Sequence, residues 1–367
     1  MLNFELPKFL GAIMAAAPRA GDVLLAVGAP PQVQIEGTLV PLRMNGLERL
    51  SPFQTETVML HLLAGAPAAA ARVRANGAAH FSYSLSAITR FRVAVFSQRG
   101  TYAISLRTIP YHVPALPELN LPEVMREACQ ERTGLVLVNG PAGAGRTTTL
   151  AALIAELNTV RPCHVVTVED PIEFLHRHAA ATVNQREVGT DTPTLVQGLS
   201  DALRQAADVI VVSEVSRVDE ARLVLEAAET GHLVLTELRG FDTASSINRF
   251  LNFFPPDERP EARARLARVL RWSFTQHLLP HREARRPVVE VWRANRASIT
   301  HLAEAPLDSQ SMADLLRDSE KDGLVGFDRE LERRVRAGDL DLDLALSSAV
   351  LRRQLELRLL DVRESAP

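Results

Sequence analysis

Residues 135–150 constrain the fold more than any other part of the chain, with the sequence LVLVNGPAGAGRTTTL. Their first four residues are apolar, with two β-branched valines, which predicts a buried strand, and the apolar residues from Leu150 onwards recur at helical spacing. Between strand and helix lie Gly140, Gly143 and Gly145. Glycines here allow backbone N–H groups to turn inwards at a helix N-terminus, an arrangement that suits a bound phosphate.

This loop follows the phosphate-binding pattern G-x-x-x-x-G-K-[ST], except that Arg146 stands where the pattern has lysine. An ordinary glycine turn between a strand and a helix would show the same spacing. The loop alone therefore leaves both interpretations open, and the residues downstream favour the nucleotide site.

Composition excludes several other classes of protein. Hydrophobic residues make up 46% and charged residues 23% of the 367 residues, as is usual for a globular protein. The net charge of -3 gives no reason to expect a nucleic-acid partner.

Cys129 and Cys163 lack metal-ligand spacing and indicate a reduced compartment. Without a long apolar run or a signal sequence, we expect a cytoplasmic protein with no integral membrane segment, and leave open peripheral attachment at the inner membrane.

The order of patterns predicts several domains. Alternating apolar segments, including a hairpin over residues 22–35, indicate a small α+β domain, and residues 59–73 indicate a helix with its loop. Three prolines in nine residues predict an extended linker. Alternating helices and strands follow, and then helices alone. The predicted bounds are 1–108 for the α+β domain, 109–117 for the linker, 118–300 for the α/β domain and 301–367 for the helical region.

Two further apolar runs end in carboxylates. Residues 164–168 lead into Glu169, and residues 209–212 lead through Ser213 into Glu214. Ligands of open α/β sheets bind at the carboxyl ends of the strands. An acidic strand end is often only a helix cap or a loop charge. Two of them beside a phosphate loop favour a functional role.

Several long stretches together carry a family resemblance: residues 90–93, 107–110, 134–150, 167–174, 183–188, 227–233 and 254–255. Over roughly Asp22 to Leu279, the chain resembles the type IV pilus retraction ATPases (PilT-like) of the secretion-motor superfamily. The resemblance implies a PAS-like N-terminal domain, a RecA-like P-loop domain and a helical C-terminal region. It also implies a hexameric ring in which ATP and Mg²⁺ bind between the two domains.

The resemblance also implies roles for single residues. By this resemblance, the phosphates would be bound by Gly140, Gly143, Gly145, Arg146, Thr147 and Thr148. The Thr147 hydroxyl and Glu214, in the Walker B segment, would hold Mg²⁺. Glu169, in the acidic box, and Glu214 would orient the metal or the attacking water.

Three more residues match family positions and have alternative interpretations. Arg92 and Arg107 correspond to junction arginines that reach the phosphates, and each would equally suit a salt bridge on a strand face. His232 matches a Thr-Gly-His stretch, and the alternative is local packing at a helix end.

The sequence departs from the family pattern at the loop and at two other motifs. Arginine replaces the compact lysine ammonium with a wide planar fork at position 146. Arg239 stands at the histidine of the Gly-Thr-Leu-His-Thr box, and Glu237 adds a carboxylate there. The Ala-Ile-Arg motif falls near Ala297–Ile299 without its arginine.

These observations favour a PilT-like ATP-binding protein of a pilus (twitching motility) or related secretion machine, with weak hydrolysis. A fully active retraction motor and a nucleotide-independent ring subunit are the alternatives. The expected partners are further copies of the chain or a paralogous pilus ATPase, and an inner-membrane platform protein. The sequence does not decide whether the chain is an effective enzyme.

Overall fold

A computed structural model describes residues 4–18, 20–35, 38–44, 46–86, 88–109, 113–281 and 284–364. They fall into two compact units. The first comprises residues up to 112 with 171–175 and 187–193, and the second comprises 113–170, 176–186 and 194–367. Within the predicted linker 109–117, residues 110–112 lie outside the described residues.

The first unit contains a six-stranded antiparallel sheet and three helices. Its elements are α1 (Leu6–Ala16), β1 (Asp22–Leu25), β2 (Gln32–Ile35), β3 (Thr38–Pro41), α2 (Pro52–Leu63), α3 (Pro67–Asn76), β4 (Ala78–Leu85), β5 (Thr89–Gln98) and β6 (Thr101–Ile109). The strand order is β3-β2-β1-β6-β5-β4. Alternate residues of β5 (Phe91, Val93 and Val95) are buried in one core with Leu10 and Ile13 of α1.

The helix predicted within residues 59–73 belongs to two helices. α2 begins earlier, where Ser51 and Gln54 form a capping box, and it ends at Leu63. α3 begins at Pro67. Proline lacks an N–H and suits a first helical position, so it starts a new helix more readily than it continues an old one.

The second unit is built on a seven-stranded sheet. It begins with two 3-10 helices (Leu116–Leu119 and Glu123–Gln130), followed by β7 (Gly134–Asn139), α4 (Arg146–Val160), β8 (His164–Glu169), β9 (Thr182–Glu187), α5 (Leu195–Ala202), β10 (Val209–Val212), α6 (Val218–Glu229), β11 (Leu233–Leu238), α7 (Thr243–Leu251), α8 (Arg259–Val269), β12 (Leu270–His281) and β13 (Ala284–Arg293). The strand order is β13-β12-β7-β11-β10-β8-β9.

Parallel pairing brings the strand ends of the site to one edge. β8, β10, β11, β7 and β12 are mutually parallel neighbours, whereas β13 runs antiparallel to β12. The register pairs Asn139 with Leu238 and Val212 with both Thr236 and Val168. The phosphate loop, Glu214 and Glu169 therefore follow strands that end side by side. The predicted α/β fold with a preceding α+β region is confirmed.

Short helices form the C-terminal region, as predicted. They are α9 (Arg296–Glu304), α10 (Ser309–Asp318), α11 (Phe327–Arg336), α12 (Leu342–Ser348), α13 (Arg352–Arg358) and α14 (Leu360–Glu364), with a 3-10 turn at Glu320–Asp322. Phe327 and Leu331 of α11 pack with Leu355 of α13 against Val288 of β13. In the part of the chain that the structure describes, every helix is too short or too polar to cross a bilayer.

One buried carboxylate on β13 caps both α7 of the α/β core and α11 of the C-terminal region. Glu290 accepts a hydrogen bond from the N–H of Thr243, the first residue of α7, at 2.7 Å. It accepts another from the N–H of Phe327, the first residue of α11, at 3.2 Å. Burial, with the nearby charge of Asp242, raises the pKa of Glu290 to about 7.

We expect this raised pKa to make the stability of the chain pH-dependent. The folded state binds the Glu290 proton more tightly than the unfolded chain, so stability falls as the pH rises from about 4.5 to about 7. Urea unfolding at pH 5 and pH 8 should show this loss for the native chain, on the order of 2 to 3 kcal/mol more than for Glu290→Gln. Glu127→Gln, at an exposed carboxylate, is the control and should follow the native chain. Parallel pH profiles for native and Glu290→Gln would contradict the assignment.

Candidate functional site

Backbone conformation explains the glycines of the loop between β7 and α4. Gly140, Gly143 and Gly145 have φ values of 153°, 78° and 82°. A Cβ atom at Gly140 would lie 2.4 Å from the carbonyl oxygen of Gln276, so any other residue would force the loop away from β12. At Gly143 a Cβ would meet nothing within 4 Å, so the middle of the loop borders open space.

Gln276 on β12 holds the loop from the sheet side. Its Nε2 donates to the carbonyl oxygen of Ala144, and its Oε1 accepts from the Thr149 hydroxyl at 2.7 Å. Both side chains are buried. The sequence analysis missed Gln276. β12 also carries Ser273, Thr275 and His277, so its local sequence gives no signal that distinguishes Gln276.

Arg146, the residue in the lysine position, binds carboxylates at the ends of two neighbouring strands. Its side chain is 11% exposed, and its Nη2 donates to Glu214 Oε2 at 3.0 Å. Its Nε lies 3.7 Å from Glu237 Oε2. The remaining nitrogen, Nη1, is buried and has no hydrogen-bond partner among the described residues. The guanidinium therefore retains one donor for an acceptor from outside the chain.

Glu214, the predicted Walker B carboxylate, lies between two guanidinium groups. Besides its contact with Arg146, Glu214 forms an ion pair with Arg239, whose Nε lies 2.7 Å from Oε1 and 3.0 Å from Oε2. Arg239 is 58% exposed, so solvent screens this pair more than the first. Both oxygens of the carboxylate therefore accept from cations of the chain itself.

The hydroxyl residues of the loop begin α4. Thr147 Oγ1 lies 3.5 Å from Glu237 Oε2, at the limit of a hydrogen bond. Thr148 follows in the same helical turn and is half-buried. The Thr147 hydroxyl therefore lies among the same charged groups as Arg146.

Glu169 ends β8 at the same sheet edge. Its Oε1 accepts from the Thr167 hydroxyl at 2.5 Å and from Gln185 Nε2 at 3.0 Å. These bonds fix the carboxylate in a half-buried position. It lies in the strand next to β10, whose end leads to Glu214.

The junction arginines lie opposite each other in the first unit, where β5 and β6 pair Arg92 with Arg107. Arg107 donates to both carboxylate oxygens of Asp22, at 2.8 and 3.2 Å, and this pairing raises its pKa. That geometry is the strand-face salt bridge named as the alternative. Arg92 is exposed on β5.

His232 lies at the other edge of the second sheet. It precedes β11, and its carbonyl oxygen accepts from the N–H of Gly134 at the start of β7. Its Nδ1 is 3.1 Å from the carbonyl oxygen of Ala227 and 3.3 Å from Thr230 Oγ1. A strand of six residues, about 20 Å long, separates this position from the loop. Within one chain, the structure does not bring His232 and the loop together.

The residues at this edge suit a phosphate ligand. Gly140 and Gly145 lie where a Cβ would crowd neighbouring atoms, and the loop begins a helix of 15 residues. Arg146 Nη1 has no hydrogen-bond partner in the described part of the chain. N–H groups at a helix N-terminus and charge-assisted arginine donors are the usual ligands of phosphate oxygens.

Comparisons with known proteins agree with this geometry. The family described as Type II/IV secretion system protein matches residues 40–303. The type IV pilus ATPase PilU of Pseudomonas aeruginosa is 32% identical over 330 residues, 89% of this chain and 85% of PilU. The type IV pilus retraction ATPase PilT of the same organism is 36% identical over 266 residues, 72% of this chain and 76% of PilT.

Solved structures lead to the same family. A crystal structure of the pilus retraction motor PilT with bound ADP superposes with a TM-score of 0.84 at 30% identity, covering 97% of this chain and all of that one. The Legionella pneumophila ATPase DotB superposes with a TM-score of 0.80 at 25% identity, covering 94% of this chain and 96% of that one. The predicted resemblance is confirmed. The chain belongs to the Type II/IV secretion system protein family and, within it, to the PilT- and PilU-like type IV pilus ATPases.

Proposed function

We propose that this chain binds ATP with Mg²⁺ at the loop Gly140–Thr148 and hydrolyses it weakly, as a ring subunit of a pilus machine. The observation that carries the proposal is that the Glu214 carboxylate forms ion pairs with both Arg146 and Arg239. The glycine loop and the free Nη1 of Arg146 support binding. The engaged carboxylate accounts for weak turnover.

In the proposed complex, backbone N–H groups of the loop and Arg146 bind the phosphate oxygens. The Thr147 hydroxyl and Glu214 would hold Mg²⁺, which supplies charge neutralisation on the phosphates when it is bound. Glu169, fixed by Thr167 and Gln185, orients the attacking water. Thr167 and Gln185 are neutral donors, so they hold the Glu169 carboxylate in place without cancelling its negative charge, and it can still accept a proton of the water.

Weak hydrolysis follows from the charges around Glu214. Phosphoryl transfer depends mainly on positioning and on electrostatic stabilisation of the transition state. A carboxylate that accepts from two guanidinium groups is a poorer ligand for a metal or a water molecule, because those bonds must first break. A fully active motor would require that rearrangement in every cycle. A scaffold without nucleotide would not account for the preserved loop.

The assembly and its partners are part of the same proposal. We propose a ring of six chains, or a mixed ring with a paralogous pilus ATPase, in the cytoplasm at an inner-membrane platform protein. The PilT and PilU relatives are type IV pilus ATPases, which supports the assignment to a pilus machine. His232, at the far edge of the sheet from the loop, would reach a phosphate only from another chain or after rearrangement. Arg92 is exposed on its strand and is available to a phosphate in such an assembly. The domain bounds 1–108, 109–117, 118–300 and 301–367 remain predictions.

Binding is tested first with matched glycine variants. We expect Mg-ADP to bind the native chain with a micromolar to millimolar Kd, roughly -8 to -4 kcal/mol. In Gly145→Ala the new Cβ would lie 3.1 Å from Gln276 Nε2 and 3.2 Å from Leu278 Cδ1, which shifts the loop and should weaken binding about tenfold or more. Gly338→Ala carries a similar positive φ of 72° in open space and should bind normally. Calorimetric titration distinguishes them, and equal affinities would show that the loop is not the site.

Hydrolysis is tested by releasing one cation from Glu214. We expect native turnover well below about 1 per second. Arg239→His should raise it about threefold or more, since the always-charged guanidinium is replaced by a largely neutral imidazole. Adding Glu214→Gln should remove the gain. Steady-state phosphate release measures all three.

The control for this series is Arg317→His, which alters an arginine that is 57% exposed and paired with acidic neighbours on α10. It should leave turnover unchanged. Native turnover typical of motor enzymes, or no gain in Arg239→His, would contradict the view that the two arginines restrain Glu214.

Assembly is tested by light scattering of the full chain at tens of micromolar, with and without Mg-ATP. A ring completed by neighbouring chains should give particles of six chains, at least with nucleotide. Gly145→Ala, which weakens binding, should require more nucleotide for assembly. Monomers under every condition would refute the ring.

A further inference from the structure

Glu237 is the one charged residue of β11 (LVLTEL). All six residues of β11 are buried, and Glu237 itself is 5% exposed. It lies opposite Val138 of β7, immediately before the loop. Removing a carboxylate from water is costly unless cations or hydrogen-bond donors compensate it. Its position beside Arg146 and Thr147 therefore requires a physical explanation.

Arg146 supplies a cation to this carboxylate and to a second one at the same time. Its Nη2 lies 3.0 Å from Glu214 and its Nε 3.7 Å from Glu237, so two different nitrogens of one planar group meet the two carboxylates. The N–H of Val215 also donates to the Glu237 carbonyl oxygen at 3.2 Å, which holds the two strand ends together. A guanidinium presents five donors in a rigid fork, whereas a lysine ammonium is a compact point charge. Arginine can therefore bridge both carboxylates in one orientation.

We infer that Glu237 is the positioning residue for Arg146, and that the two residues form a matched pair in which arginine, rather than lysine, binds the phosphate. This inference rests on the proposed nucleotide site. Glu237 and Glu214 orient the guanidinium from two sides, so the orientation of Nη1 depends on both. Lysine in this setting would leave Glu237 with a weaker partner in a buried place.

The inference predicts opposite effects of one substitution in two backgrounds. In the native background, Glu237→Gln releases the guanidinium and should weaken Mg-ADP binding about threefold. Arg146→Lys alone should weaken it about tenfold, because the ammonium is drawn to the buried carboxylate. In the Arg146→Lys background, Glu237→Gln removes that competitor and should strengthen binding about threefold.

The experiment is a double-substitution cycle on the full chain: native, Arg146→Lys, Glu237→Gln and the double variant. Mg-ADP affinity is measured by calorimetry, and the thermal unfolding midpoint is measured without nucleotide. Each single change should lower the midpoint, and the double variant should lose less than the sum of the two. Glu290→Gln, which removes a buried carboxylate capping α7 and α11, is the control and should add independently to Arg146→Lys.

The outcomes separate the competing explanations. If Glu237 acted only through its negative charge, its removal would strengthen phosphate binding in both backgrounds, and a shared sign would overturn the positioning role. Additive midpoints would overturn the matched pair. No Mg-ADP binding in any of the four variants would overturn the proposed function and the positioning role together. Opposite signs with non-additive midpoints support both.

Discussion

The ion pair between Arg146 and Glu214 is the interaction on which the candidate site depends. It connects the first turn of α4 to the segment that follows β10, and both side chains are largely removed from solvent. Buried pairs are strongly destabilised when one partner is lost, because the other charge remains unpaired. The pair therefore constrains the start of the helix, the segment around Glu214 and, through Glu237, the end of β11. Parallel strand pairing makes these contacts available, since it brings residues 146, 214 and 237 to one edge.

Features that depend on local sequence could be predicted. The period of the apolar residues identifies β7, β8, β10 and β11, and the glycine spacing identifies the loop. The edge at which Glu169 and Glu214 lie follows from a general rule for parallel sheets. The helices within 59–73 were less well predicted, because a single proline at residue 67 outweighs the alanine-rich composition around it.

Features that depend on contacts between distant segments could not be predicted. Gln276 supports the loop from more than 120 residues away, and no local pattern predicts which buried side chain faces which turn. Glu290 likewise caps α7 and α11 from a separate strand. His232 shows how a match in sequence leaves the position in the fold undetermined. Its neighbours in sequence match the family, but it enters β11 at the edge opposite the one at which the strand ends.

The departures from the family pattern are coupled through charge. The pattern places one lysine beside one Walker B carboxylate, which gives no net charge. This chain has two arginines at positions 146 and 239 and two glutamates at positions 214 and 237, again with no net charge. An unpaired charge at this part-buried edge destabilises the fold whether or not nucleotide binds. Fold stability alone therefore favours a balance between the two arginines and the two glutamates. The added carboxylate and the changed cations are therefore best understood as one electrostatic arrangement, in which the stability of the strand ends and the orientation of Arg146 depend on the same contacts.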